Sequence, residues 1–187
     1  MEYIERSYPL FSACGLNCGL CPRYQTNGQS KCPGCSGKGF LSKHPTCGVL
    51  SCSQRHEYEY CYQCAEYPCK KYDNADMSDS FITHRNQFRD LEIAKINFEK
   101  YKAILNEKVE ILEGLLEEYD DGRRKSFYCI AINLLNLQDI KAVLEQLRIK
   151  SNPNESKKNK ATLATGLFQS LADERGVSLQ LRKNKKT

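Results

Sequence analysis

Ten of the eleven cysteines are crowded into one stretch, at Cys14, Cys18, Cys21, Cys32, Cys35, Cys47, Cys52, Cys61, Cys64 and Cys69. Thiolates are soft ligands for zinc and for iron–sulfur clusters, and two of them on a tight C-x2-C turn can grip one ion. Cys32-Pro-Gly-Cys35 and Cys61-Tyr-Gln-Cys64 are two such turns, and Cys14-Gly-Leu-Asn-Cys18-Gly-Leu-Cys21 brings three more thiols close in sequence. Gly34 and Gly37 permit the first turn and let backbone N–H groups approach sulfur. Zinc takes four ligands, so ten cysteines make two four-cysteine sites with two thiols spare. Adding His44 and His56 gives twelve donors, enough for three sites, and the spacing leaves the part of the histidines open. The expectation is zinc, two ions per chain, with all ten cysteines as metal-ligand candidates.

Iron–sulfur clusters also use four thiolates each and are the alternative cofactor. The run here is C-x3-C-x2-C, which departs from the bacterial ferredoxin pattern, and the two C-x2-C turns look like zinc knuckles. The same run matches the cluster motif of radical S-adenosylmethionine enzymes, but those need a large β/α barrel, and here more cysteines and a helical pattern follow. A thioredoxin-like C-x-x-C wants a βαβ context that the pattern lacks. Cys129 lies in an apolar run and reads as a small buried hydrophobe.

The opening MEYIERSYPLFSAC lacks the basic start and apolar stretch of a secretory signal, and no apolar run approaches the roughly 18 residues that span a bilayer. A cytoplasmic protein with no membrane partner is expected. In a reducing cytosol, dense cysteine pairs hold metal rather than disulfides. Metal also alters the charge. The formal +5 counts every thiol as neutral, and eight thiolates on two divalent ions would bring it to about +1.

No catalytic constellation accompanies the thiols: there are only three histidines, no recognisable Ser-His-Asp order and no Gly-rich phosphate loop. His84 reads as a surface or capping residue at the start of a helix. Arg23, Lys31, Lys38, Lys43, Lys70 and Lys71 surround the cysteines, as expected where four thiolates and one zinc leave a net negative charge. The aromatics Tyr24, Phe40, Tyr58, Tyr60, Tyr62, Tyr67 and Tyr72 read as an apolar shell over the metal core rather than a base-stacking platform. The leading function is therefore a structural-zinc binding or regulatory module with a protein partner. One alternative is a redox or electron-transfer accessory carrying iron–sulfur clusters. The other is nucleic-acid binding through Lys157, Lys158, Lys160, Arg182, Lys183, Lys185 and Lys186.

Residues 1–72 carry almost no helical or strand periodicity, so metal is expected to replace a core there. Residues 76–82 form a connector with Asp76, Ser78, Asp79 and Ser80 as capping candidates. From Thr83 to Tyr119 the pattern predicts one long amphipathic helix, or two with a kink. Leu91, Phe98, Leu105, Leu112 and Tyr119 fall on one row, Ala94, Tyr101 and Leu115 on the next, and Lys108 interrupts. The wide stripe favours packing within the domain over a dimeric coiled coil. Residues 126–135 are apolar nearly all round and fit a buried helix or a buried strand; helix is the expectation because Asn136 or Asp139 then caps a clear successor with Ile140, Val143, Leu144 and Leu147 on one face. Residues 150–160 read as an exposed linker before a last helix and a basic tail. The fold class is mainly α: a small, irregular, metal-stabilised module at 1–75, a helical domain at 76–150, and the linker, last helix and tail at 151–187.

The ordered set CGLNCGLCP, CPGC and CYQCAEYPC resembles the prokaryotic cysteine-rich family catalogued as domain of unknown function 3795, over about residues 12–72. The segment LLEEYDDGRRKSFYCIAINLL is similar to a helical extension that some members carry. The resemblance implies a cytoplasmic, zinc-binding module in which all ten cysteines occupy matching positions. It implies no particular activity, and it does not extend to His44 or His56.

Overall fold

The structure, a computed structural model, describes residues 5–73, 75 and 77–183. Every regular element among them is helical and there is no strand, so the mainly-α expectation holds. By compactness the chain forms two units, Met1–Leu105 with Leu181–Thr187, and Asn106–Gln180. The expected capping residue Asp76 and the basic residues Lys185 and Lys186 lie outside the described residues.

The cysteine-bearing unit contains helices α1 (Phe40–Lys43), α2 (Gly48–Arg55) and α3 (Gln87–Ile96), with single 3-10 turns at Cys18–Leu20, Cys61–Gln63 and Lys70–Tyr72. Helix α2 has no counterpart in the periodicity, because only Leu50 and Ser53 of its eight residues are buried. Two apolar-face positions are too few to register as a repeat. Helix α4 (Phe98–Glu118) starts in this unit and ends in the other. The long helix expected from Thr83 is thus two helices, broken at Asn97, whose backbone is extended (φ −154°, ψ 94°). Its side-chain Oδ1 accepts the Lys100 N–H at 2.9 Å, so an asparagine in the middle of an apolar repeat caps a new helix rather than continuing the old one.

The core of this unit is small and aromatic. Phe11 packs against Tyr60 and Tyr101, with ring centroids 5.5 and 4.7 Å away, and Phe98 lies 5.0 Å from Tyr60. A buried polar relay runs beside it. Asn17 donates to Asp90 Oδ2 at 2.7 Å and accepts from the Tyr101 hydroxyl at 2.6 Å, which fastens the loop between Cys14 and Cys18 to α3 and α4. Gly15 makes that fit possible, since at φ +91° an added Cβ would lie 2.6 Å from the Gln87 carbonyl oxygen.

The second unit is an ordinary helical core. Helix α5 (Lys125–Leu134) buries seven consecutive residues, Tyr128 to Leu134, as its apolar composition predicts, and Cys129 is 2% exposed among them. Asn136 caps α6 (Leu137–Lys150), accepting the Asp139 N–H at 2.8 Å, and Ile140, Val143 and Leu147 are buried while Leu144 is half-buried. Helix α7 (Lys157–Glu174) packs on α5 and α6 through Ala161, Ala164, Phe168 and Ala172. It starts inside the expected linker because Ser156 caps it, accepting the Asn159 N–H at 3.2 Å. Lys108 does not break the apolar row of α4. Its stem is buried and its Nζ donates to the Leu135 carbonyl at 2.7 Å and to the Asn133 carbonyl at 3.5 Å, at the end of α5 where carbonyls lack intrahelical partners.

Candidate metal centre

All eleven cysteines are free thiols, and the structure gathers the ten clustered ones around two clefts of the first unit. Cys14, Cys18, Cys21, Cys32 and Cys47 line a cleft of about 530 Å³. Cys35 is buried beside it, in one apolar cluster with Cys32, Phe40 and Leu50 against which Cys18 and Cys47 pack. Cys52, Cys61, Cys64 and Cys69 line a second cleft of about 630 Å³. The two sets share no cysteine.

The turns that carry these thiols follow from local sequence. Cys18 and Cys21 stand at the two ends of one 3-10 turn, with the Cys21 N–H on the Cys18 carbonyl at 3.1 Å, and Cys61 and Cys64 repeat the arrangement at 3.0 Å. At Cys32–Cys35 the chain presses on Pro9, whose carbonyl accepts the Cys35 N–H at 2.8 Å. Gly34 (φ +86°) allows that approach, as an added Cβ would sit 2.4 Å from the Pro9 oxygen.

Burial dominates the electrostatics of the thiols. It pushes Cys35 up to about 12 and Cys61 up to about 11, and holds Cys14, Cys18 and Cys21 above the ordinary cysteine value. Neighbouring thiols add to the effect: Cys35, Cys14, Cys21 and Cys32 act on Cys18, and Cys14, Cys69 and Cys52 act on Cys61. Opposing contributions come from donors aimed at sulfur. The N–H groups of Arg23 and Tyr24 reach Cys21, and the Tyr72 hydroxyl donates to Cys61. Ser12 Oγ lies 3.1 Å from Cys14 Sγ. Burial therefore favours the neutral thiol over the thiolate at these positions.

As placed, no three Cys, His, Asp or Glu side chains among the described residues stand close enough together to hold one ion. The donor chemistry and the grouping fit a metal, whereas the tight coordination shell is not preformed.

His44 lines the first cleft with its ring stacked on Phe40 at 4.5 Å and Nδ1 2.8 Å from the Pro45 carbonyl oxygen. His56 lines the second, stacked on Tyr58 at 6.2 Å. Lys70 and Lys71 line both clefts and Arg23 the first. Of the aromatic residues, Phe40, Tyr60 and Tyr72 are buried, while Tyr58 is exposed.

The sequence reading missed several lining residues because they come from the connector and α3. Ser80, Phe81, His84 and Gln87 all face the first cleft, and Gln87 Nε2 donates to the Cys14 carbonyl at 2.8 Å. His84 lies before α3, not on a long helix, with Nε2 3.0 Å from Ser80 Oγ. Asp79, whose side chain is fully buried, holds this segment by accepting the His84 N–H at 2.8 Å and the Arg182 guanidinium at 2.9 Å. Burial raises the Asp79 carboxyl, but the hydrogen bonds from Arg182 and His84 outweigh it and leave it below the usual range. Arg182 is thereby a structural cation. Two other tail candidates are also engaged, Lys157 with the Glu117 carbonyl at 3.0 Å and Lys160 with Glu118 at 3.9 Å.

Among the described residues no helix is long and apolar enough to cross a membrane. No curated protein and no solved structure matches the chain. Residues 10–74 match the sequence model of a family described as protein of unknown function (DUF3795), about a third of the chain and the whole of its cysteine cluster. The residues that match this model carry all ten clustered cysteines, and helices of the kind the resemblance led us to expect follow them in this chain.

Proposed function

We propose that the DUF3795 segment is a metal-binding module, that its metal is zinc in a structural role, and that the protein serves as a cytoplasmic binding or regulatory module with a protein partner. The gathering of the thiols in one small unit, nine of them along two clefts and Cys35 buried beside the first, carries this reading. The donor set is all sulfur, sits in a unit whose own apolar core is small, and is flanked by Lys70, Lys71 and Arg23, which offset the negative charge of thiolate-bound zinc. Zinc here would hold the walls of the clefts together. The engagement of Lys157, Lys160 and Arg182 within the protein favours a protein partner over nucleic acid.

Elemental analysis with a visible spectrum, both taken on protein purified without oxygen, tests the reading. Colourless protein containing zinc supports it. Brown protein with broad visible absorbance that bleaches on reduction would replace it with the iron–sulfur alternative, and protein with no bound metal would end both.

A further inference from the structure

The first cleft holds a pair of side chains that metal binding does not use. Ser80 Oγ lies 3.0 Å from His84 Nε2, and both residues line the cleft. A hydroxyl on an imidazole nitrogen is the nucleophile and base of acyl transfer. The pair forms no Ser-His-Asp order along the chain; a short loop brings it together. The His84 N–H donates to Asp79 Oδ1 at 2.8 Å, the Ser80 N–H to the Ile82 carbonyl at 3.2 Å and the Asp79 N–H to the Arg182 carbonyl at 3.0 Å. With the Asp79 side chain fully buried, this loop presents its hydroxyl and ring from a fixed base.

A second observation in the same cleft points to a ligand. Gln87 is 5% exposed, and its Nε2 is engaged by the Cys14 carbonyl at 2.8 Å, yet its Oε1 has no partner. A buried acceptor left open costs stability that an N–H of a bound molecule restores. Around it Leu16, Val49, Phe81 and Ile82 offer apolar walls within a volume of about 530 Å³.

We propose that the first cleft is an esterase site in which Ser80 is the nucleophile and His84 its general base, acting on a carboxylic ester whose apolar acyl part carries an N–H. The inference goes beyond the zinc reading and uses no thiol as a reactant. Ser80 Oγ forms a bond to the carbonyl carbon as His84 Nε2 takes the hydroxyl proton. The bond to the leaving alcohol breaks, and that oxygen receives the proton from His84. Water then attacks the acyl carbon and gives a proton to His84, the bond to Oγ breaks, and Oγ takes the proton back as the carboxylic acid leaves. Lys70 and Lys71 line the same cleft and no Asp or Glu does among the described residues, so charge developing on the carbonyl oxygen meets cations. Burial holds the His84 ring below the usual histidine value against the opposing charge of Asp79, which keeps it neutral and able to accept a proton.

The full chain is tested with two probes: a fluorophosphonate, which phosphonylates activated serine hydroxyls, and the p-nitrophenyl ester of N-acetylphenylalanine. We expect one phosphonyl adduct, mapped to Ser80 by peptide mass spectrometry, with loss of ester hydrolysis in the labelled protein. Ser80→Ala and His84→Ala should each slow hydrolysis about 100-fold or more. Ser80 is exposed, so its truncation empties no core site, and the labelling and the Ser80→Ala rate decide even if His84→Ala does not fold. No adduct, an adduct on a cysteine, or a wild-type rate in Ser80→Ala would overturn the site. The p-nitrophenyl ester of 3-phenylpropionate, which lacks the N–H, should be accelerated less over its spontaneous hydrolysis; equal acceleration would overturn the part given to Gln87. None of these outcomes touches the zinc reading, which metal content decides separately.

Discussion

In the second unit, α5 buries seven residues in a row, and α7 covers it with Phe168, whose ring centre is 6.2 Å from that of Tyr128. In the first unit, the stretch from Cys14 to Cys69 contributes few large buried side chains, chiefly Leu20, Phe40, Leu50 and Tyr60, and its longest helix has eight residues. One region closes its structure with apolar volume. The other spends much of its chain on turns that carry cysteines along two clefts. On the proposed metal-binding reading, the difference teaches that the helical unit should tolerate loss of metal, whereas the cysteine unit should not, because metal-binding free energy at thiolate sites is largely folding free energy.

Chelation is the strongest way to break the comparison. Stripping metal should cost the cysteine unit on the order of 10 kcal/mol per ion. The expected signature is loss of near-ultraviolet tyrosine signal and of amide protection before residue 80, with α5 to α7 still protected in hydrogen exchange. Equal loss of protection throughout the chain would erase the contrast.

Truncating the other core should act in the opposite sense. Tyr128→Ala empties a fully buried site and breaks the hydroxyl bond to the Tyr119 carbonyl at 2.9 Å, so it should destabilise by roughly 3–5 kcal/mol. Thermal melts read this cost, while metal content per folded chain should not change.

Gly34→Ala probes the cysteine unit without touching a thiol. The positive φ and the contact with Pro9 together predict a loss of about 2 kcal/mol, measurable by chemical denaturation, and weaker zinc retention in a chelator competition. A neutral result would mean that the Cys32–Cys35 turn does not need its seat on Pro9.

Cys129→Ser sharpens the distinction between thiols. It buries a hydroxyl in α5 and should cost about 1–3 kcal/mol with metal stoichiometry unchanged, whereas any loss of metal would make Cys129 a ligand.

The smallest effect is the pH dependence of the Asp79 anchor. Its carboxyl sits below the usual value in the folded protein, so its contribution is present above the unfolded carboxylate value of about 4 and is lost as pH falls through the folded one. The stability difference between wild type and Asp79→Asn should therefore be largest near neutrality and vanish in acid. A constant difference across pH would remove the ion pair with Arg182 as its cause.

The candidate ligands could be named from spacing alone, since a C-x2-C turn is a local object that needs no tertiary contact to be recognised. Legible too were the helical class, the buried α5 and the Asn136 cap, each fixed by composition or by a side chain three residues from its partner. The partition of the thiols was not legible. Cys47 and Cys52 lie five residues apart and face different clefts, because α2 begins at Gly48 and carries the chain between them. The pattern allowed one long helix or two with a kink, but the place of the break at Asn97 and the burial of Lys108 were not legible, because at each a hydrogen bond outweighs the apolar pattern. Sequence by itself determined which atoms can bind metal and which segments become helix, both being properties of neighbours along the chain. Only the tertiary structure decided which thiols meet and which polar residues of α3 and the connector join them, because such meetings depend on chain reversals and close packing that spacing does not encode.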